Sequence, residues 1–288
     1  RSLVGAEMCI RDSSCTVPQG PGDGGRTLLT SMPVRTAAPQ ESEARRRRRV
    51  QEILKALKAR YPDPQIPLAH RAPFELLVAT ILSAQCTDET VNRVTPELFR
   101  RFPGPQALAK AELAAVEELI RPTGFFRQKA RAIVECSRRL LAEHGGEVPP
   151  DMEALVRLPG VGRKTANVLF AAAEIERWPG WPHTRSRPDG TGIVVDTHVT
   201  RLSRRLGLTA EVDPEAIERD LVRLVPPDEW SRFSLRLIYF GREVCTARDP
   251  RCAACPLRQL CPSAPYGGFP PWMASPARGG ARRGRRTR

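Results

Sequence analysis

Lys164 stands in the stretch LPGVGRKTANVL, Leu158 to Leu169, two residues after a Gly-x-Gly turn. A lysine so placed has three uses: phosphate ligand, nucleophilic amine or surface charge. The stretch is close to a phosphate-cradling P-loop, but that motif sets Gly-Lys-Ser/Thr in direct succession after a strand. Here Arg163 separates Gly162 from Lys164, and the preceding DMEALVRL has the spacing of an amphipathic helix. A hairpin between two helices fits better. Gly160 and Gly162 permit backbone angles that other residues avoid, and they let a phosphodiester approach the amides at a helix start. Gly160, Val161, Gly162, Arg163 and Thr165 are the expected contact set. Such a turn grips a nucleic-acid backbone without reading its bases.

Two further constellations carry chemistry. In VDTHVTRLSRRLG, Asp196 precedes a helical stripe of Val199, Leu202 and Leu206. It is either the N-cap of that helix or a carboxylate facing Lys164 across a groove, and spacing alone leaves both readings open. The second is Cys245-x6-Cys252-x2-Cys255-x5-Cys261, four of the eight cysteines within seventeen residues. Four thiolates this close suit tetrahedral zinc or a cubane iron–sulfur cluster. The single C-x-x-C departs from zinc ribbons, which pair two such knuckles. Arg248 and Arg251 place positive charge in the first cysteine loop, with Asp249 between them diluting it. Clustered cysteines of this kind point to a reducing compartment rather than to disulfides, so a cytoplasmic protein is expected.

The elements that must position these residues read almost entirely as helix. PFELLVATILSAQ places Phe74, Leu77, Val78, Ile81 and Leu82 on one stripe. DPEAIERDLVRLV opens with Asp213 as cap and Pro214 at the first helical position, and aligns Ile217, Leu221 and Leu224. DEWSRFSLRLIYFG carries Trp230, Phe233 and Leu237 and is expected to end at Gly241. One short β-like run, Ile193 to Val195, interrupts an otherwise all-α pattern. RPTGFFRQKA, Arg121 to Ala130, aligns without gaps on RLPGVGRKTA, Arg157 to Ala166, thirty-six residues later. Two related helix–turn–helix units follow, of which the first has Gln128 where the second has its lysine.

The chain of 288 residues, 41% hydrophobic, can bury one or two cores, and no apolar run reaches the length of a membrane span. The net charge of +14 favours a polyanionic partner. Part of that excess lies in Arg45–Arg49 and in RGGARRGRRTR at 278–288, which read as solvated arms or as non-specific attraction to nucleic acid. Residues 1–43 have loop composition, and the opening RSLVGAEMCIRDSS reads as vector- or adapter-derived.

LSAQCTDETVN, LPGVGRKTAN, VDTHVTRL and the cysteine spacing, in this order, resemble the endonuclease III family of DNA glycosylase/AP lyases, over roughly Arg45 to Pro262. The resemblance implies an all-α helix-hairpin-helix fold with a DNA groove between two domains. One is a six-helix barrel over 66–190; the other is discontinuous, 44–65 with 191–262, and holds a [4Fe-4S] cluster on Cys245, Cys252, Cys255 and Cys261. A disordered basic tail over 263–288 is expected beyond them. The resemblance also implies Lys164 as nucleophile and Asp196 as its partner, Gln85 filling the gap left by a flipped base, and Phe125 as a wedge beside the opposing base. Relatives specific for mismatched adenine or thymine typically lack the lysine. The implied activity is therefore bifunctional, with oxidised pyrimidines such as thymine glycol as substrates. The implied partner is double-stranded DNA carrying damaged bases or abasic sites, bound by a monomer, with no membrane and a nucleoid-associated location in a bacterial cytoplasm. Glu174 to Gly192 is longer than the family usually has; it is expected to be a surface insertion, with Trp178, Trp181, His183, Arg185 and Arg187 as the alternative DNA contacts.

Overall fold

Eleven α-helices and several short 3-10 turns make up the residues that the computed structural model describes, 41–182, 192–270 and 273. Ser42 caps the first helix, α1 (Glu43–Arg60), by accepting from the Arg45 amide. Its stripe of Val50, Ile53, Leu54 and Leu57 is buried. The arginine run on this helix is not a free arm. Arg49 forms a two-pronged pair with Glu41 and donates to the Leu206 carbonyl at 2.6 Å, while Arg47 pairs with Glu43. The Arg49 hydrogen bonds hold the Glu41 carboxyl below its ordinary range.

After Pro62 and a short connection come α2 (Pro73–Leu82), α3 (Asp88–Arg101), α4 (Pro105–Ala109), α5 (Leu113–Ile120), α6 (Phe126–His144), α7 (Met152–Arg157) and α8 (Arg163–Glu176). Their apolar faces meet in one core around Leu77, Leu98, Ile120, Ile133, Leu155 and Leu169. The α2 stripe is buried as the spacing predicts. The repeat takes shape as α5–turn–α6 and α7–turn–α8, and the first glycine of each turn, Gly124 and Gly160, has positive φ. A helix, not a strand, precedes the Gly-x-Gly turn, so the P-loop reading fails on structure as it does on spacing.

The second core gathers α1 with α9 (Thr197–Arg205), α10 (Pro214–Leu224) and α11 (Trp230–Glu243) around Ile53, Leu202, Ile217, Leu221, Phe233 and Phe240. One helix from the start of the described chain thus packs with three from its end. Arg236, 2% exposed, pins the crossing between the cores: it donates to the Tyr61 and Pro62 carbonyls and pairs with Glu229 at 2.7 Å.

Four expectations change. Ile193–Val195 is buried but forms no strand, and none occurs among the described residues. Gly241 does not end α11, which runs on to Glu243 and is capped at Val244. A Cβ at Gly241 would lie 2.8 Å from His198 Nδ1 and 3.0 Å from Arg201 Nη2, so the glycine serves a close helix crossing. The expected insertion begins as helix through Glu176, and Trp178 and Trp181 stack edge-on with each other and pack on the first core. That position, half-buried, does not suit stacking on DNA; His183, Arg185 and Arg187 lie outside the described residues. Finally, 263–270 is not a disordered tail: Ser263 is buried and donates to the Arg205 carbonyl at 2.5 Å, and Phe269 lies under the Arg205 guanidinium. Residues 1–40 and the arginine-rich 278–288 also fall outside the described residues.

Candidate active site

The loop between α7 and α8 positions the lysine. Gly160 needs its φ of +78°, and a Cβ there would meet Ala132 at 3.1 Å and Ile81 at 3.3 Å, so the turn is drawn tightly onto α2 and α6. Val161 differs from the expected contact set: its side chain is buried and its amide donates to the Leu158 carbonyl. Gly162 is exposed as the N-cap of α8, and Lys164 lies in the first turn of that helix, exposed on the protein surface. The positive end of the α8 dipole points toward any anion at this turn. Arg163 reaches toward Glu218 of α10, its Nε 3.4 Å from Oε2, and so links the hairpin to the second core.

Glu218, 5% exposed, is a hub that sequence reasoning missed. It accepts from Asn167 Nδ2 at 3.1 Å on α8 and from the Gly192 amide at 3.0 Å. The helix carrying Lys164 and the segment entering Asp196 are therefore tied to one buried carboxylate. Its place on a helix otherwise read as amphipathic gave no signal of this.

Asp196 performs the capping role: Oδ1 accepts from the Val199 amide at 2.8 Å. It also lines the cleft that holds Lys164, so the two readings of this residue are compatible. The cleft, about 280 Å³, takes Gln85 from the α2–α3 loop, Lys164 and Thr165 from α8, Asp196, and Ser234 and Arg242 from α11. Arg242 bonds Asp88 at 2.6 Å and bridges α11 to α3 across it. Neither residue stood out in the sequence. Behind Asp196, burial pushes the His198 imidazole below its ordinary range, and Nδ1 sits 3.1 Å from Arg201 Nη2. Arginine only donates, so Nδ1 accepts and the ring is neutral.

Gln85 and Phe125 are exposed, and both hold left-handed backbone angles, φ 52° and 47°. With Gly160 they rim a second recess of about 290 Å³. The expected DNA-facing residues of three separate turns thus converge on one face. Arg248 and Arg251 lie on the exposed loop between the first two cysteines, apart from both recesses.

The four cysteines, all free, surround a small apolar cavity together with Leu202, Phe240 and Leu257. Among the described residues no three ligating side chains converge as they would on a single ion. Burial pushes the Cys252 and Cys255 thiols up and carries Cys261 to about 11, so these sulfurs need a cationic centre to become thiolates. A multi-iron cluster, larger than one zinc ion, fits this donor set. Arg205 Nη1 donates to Cys245 Sγ at 3.3 Å and to the Thr246 carbonyl, which fixes the loop bearing the first ligand.

Comparison with known proteins agrees with this geometry. Residues 78–227 match the HhH-GPD superfamily of base excision DNA repair proteins, and residues 245–261 match the iron–sulfur binding domain of endonuclease III. Endonuclease III of Synechocystis is 51% identical over 221 residues, 77% of this chain and 95% of the relative. A solved non-covalent endonuclease III–DNA complex superposes with a TM-score of 0.67 at 38% identity, over 76% of this chain and 97% of that one. A trapped endonuclease III–DNA covalent intermediate, the estranged-adenine complex, gives the same TM-score of 0.67 at 39% identity, with coverage of 76% and 97%.

Proposed function

The chain belongs to the endonuclease III family, base excision repair DNA glycosylase/AP lyases with a [4Fe-4S] cluster, and from that premise we propose that it removes oxidised pyrimidines through a Schiff base on Lys164. The observation that carries this reading is that Lys164, at the start of the hairpin helix, and Asp196, at the cap of α9, line the same cleft. A related endonuclease III trapped in a covalent intermediate with DNA supports a covalent route.

The chemistry follows from the residues. A base in duplex DNA must leave the stack before its glycosidic bond can be attacked. The Gly160–Gly162 turn and the start of α8 hold the backbone while Gln85 fills the gap left by the flipped base and Phe125 wedges beside the opposing base. An ordinary lysine is protonated at neutral pH in all but about one part in a thousand, so the attack needs a proton acceptor. Asp196 supplies it, and its charge stabilises the positive charge that develops on the sugar. The amine nitrogen bonds to C1′, the bond from C1′ to the base breaks, and the base leaves with that electron pair and takes up a proton. The nitrogen lone pair then breaks the C1′–O4′ bond, O4′ takes up a proton, and the opened sugar is an iminium. Loss of a C2′ proton then expels the 3′ phosphate by β-elimination, and water releases the enzyme.

Cys245, Cys252, Cys255 and Cys261 would hold the cluster, and its iron would supply the positive charge that their thiolates need. Arg248 and Arg251 on that loop are proposed as phosphate contacts. The damaged or abasic double strand is met by a single chain, since one chain supplies every residue named. The net charge of +14 supports residence on DNA in the bacterial nucleoid. No helix among the described residues is long and apolar enough to cross a membrane.

Substrate class is tested by single-turnover base release from duplexes carrying one thymine glycol, one uracil or one 8-oxoguanine. Release of thymine glycol at least tenfold faster than of the others is expected; a preference for either alternative would overturn the assignment.

A further inference from the structure

Lys129 is a buried lysine that the mechanism does not use. It lies one turn into α6 and is 5% exposed, and its ammonium donates to two carbonyls: Leu82 at 2.8 Å and Thr123 at 2.7 Å. Leu82 ends α2, three residues before Gln85. Thr123 ends the 3-10 turn Arg121–Thr123, two residues before Phe125. Each carbonyl closes a helical segment, where outward-facing oxygens lack intrahelical partners and the dipole attracts a cation. One charge therefore caps two segments whose next few residues carry the two exposed side chains expected to enter DNA.

Both loops need such a restraint. Gln85 and Phe125 adopt left-handed backbone angles, which cost non-glycine residues free energy unless the surroundings enforce them. Local bonds fix part of each loop: the Cys86 amide donates to Ser83, and the Lys129 amide donates to the Phe125 carbonyl. Across from one loop to the other, Lys129 Nζ joins the two, and its side chain floors the recess that Gln85 and Phe125 rim.

We propose that Lys129 is a positioning residue that sets the separation of Gln85 and Phe125, so that the two enter the base stack as one preformed unit. This rests on the reading of Gln85 as the residue that fills the gap and of Phe125 as the wedge beside the opposing base. Burial of Lys129 lowers the pKa of its ammonium, as expected of a charge withdrawn from water. The two charge-assisted bonds are what keep it in place. Methionine keeps most of the length while removing both bonds.

The test compares two substrates that differ only in whether the stack must be filled: an abasic site opposite adenine, and the same site in a one-nucleotide bulge, where no opposing base stands. Single-turnover strand cleavage is measured for wild type, Lys129→Met, the Gln85→Ala/Phe125→Ala double variant and the triple variant. Lys129→Gln, whose shorter, neutral amide removes the charge, serves if the methionine variant does not fold. The expected result is a loss of about ten- to a hundredfold on the paired duplex and under about threefold on the bulge for Lys129→Met. The triple variant should be no slower than the double. Equal losses on both substrates, or a loss that multiplies with that of the double variant, would reduce Lys129 to a stability residue and overturn the proposal. If the double variant itself shows no preference for the bulge, the stack-filling reading fails first, and the proposal falls with it.

Discussion

Asp196 joins two functions that substitution can separate. Its Oδ1 caps α9, and its carboxylate faces the lysine cleft. Asparagine caps a helix about as well as aspartate, while alanine does not. Asp196→Asn should therefore remain within about 0.5 kcal/mol of wild type in urea unfolding, with Asp196→Ala about 1 kcal/mol below it. Both should lose base release by a factor of about 10² to 10⁴ if the carboxylate moves the proton. An asparagine variant of full rate would reduce Asp196 to its cap. The residue was legible in the sequence by type and by the stripe that follows it, and spacing could not choose between its roles because a cap and a cleft residue look alike in one dimension. Glu218 and Lys129 were not legible at all. Each is a charged residue on a helix, and burial against partners 26 to 55 residues away for Glu218, or 47 for Lys129 and Leu82, is set by tertiary packing.

At the scale of elements, periodicity located the α2, α10 and α11 stripes because each helix buries one face against a core. It misplaced the end of α11. A glycine after an apolar run ordinarily marks a C-terminus, but Gly241 sits inside the helix where α9 crosses it. Its substitution should run against the usual sign. Replacing a helical glycine by alanine ordinarily stabilises by about 1 kcal/mol. Gly241→Ala instead drives a methyl against the His198 ring and the Arg201 guanidinium and should cost about 1–3 kcal/mol. Urea unfolding checks it: a variant more stable than wild type would mean that the α9–α11 crossing relaxes freely. The arginine run of α1 misled in the same way, since composition registers its charge but not the Glu41 and Leu206 carbonyl contacts that dock Arg49.

The described residues form two hydrophobic cores joined at the chain crossing held by Arg236, with the lysine cleft drawing residues from both. The cysteine spacing announced a metal centre; that residues as far as Phe269 fold over it depends on Arg205, whose reach no local pattern encodes. Because burial disfavours the Cys252, Cys255 and Cys261 thiolates, these cysteines and the cluster should stand or fall together. Cys255→Ser is expected to lower iron and labile sulfide per chain and to reduce the melting temperature, since metal binding contributes directly to folding. Unchanged iron content would contradict the ligand assignment. The central claim is that Lys164 is the nucleophile, and borohydride trapping tests it most directly, on duplex DNA carrying one thymine glycol, with wild type beside Lys164→Gln. A covalent adduct with wild type and none with the variant is the predicted result. An adduct of equal yield from Lys164→Gln, or none from a wild-type enzyme that still cuts the strand, would contradict it.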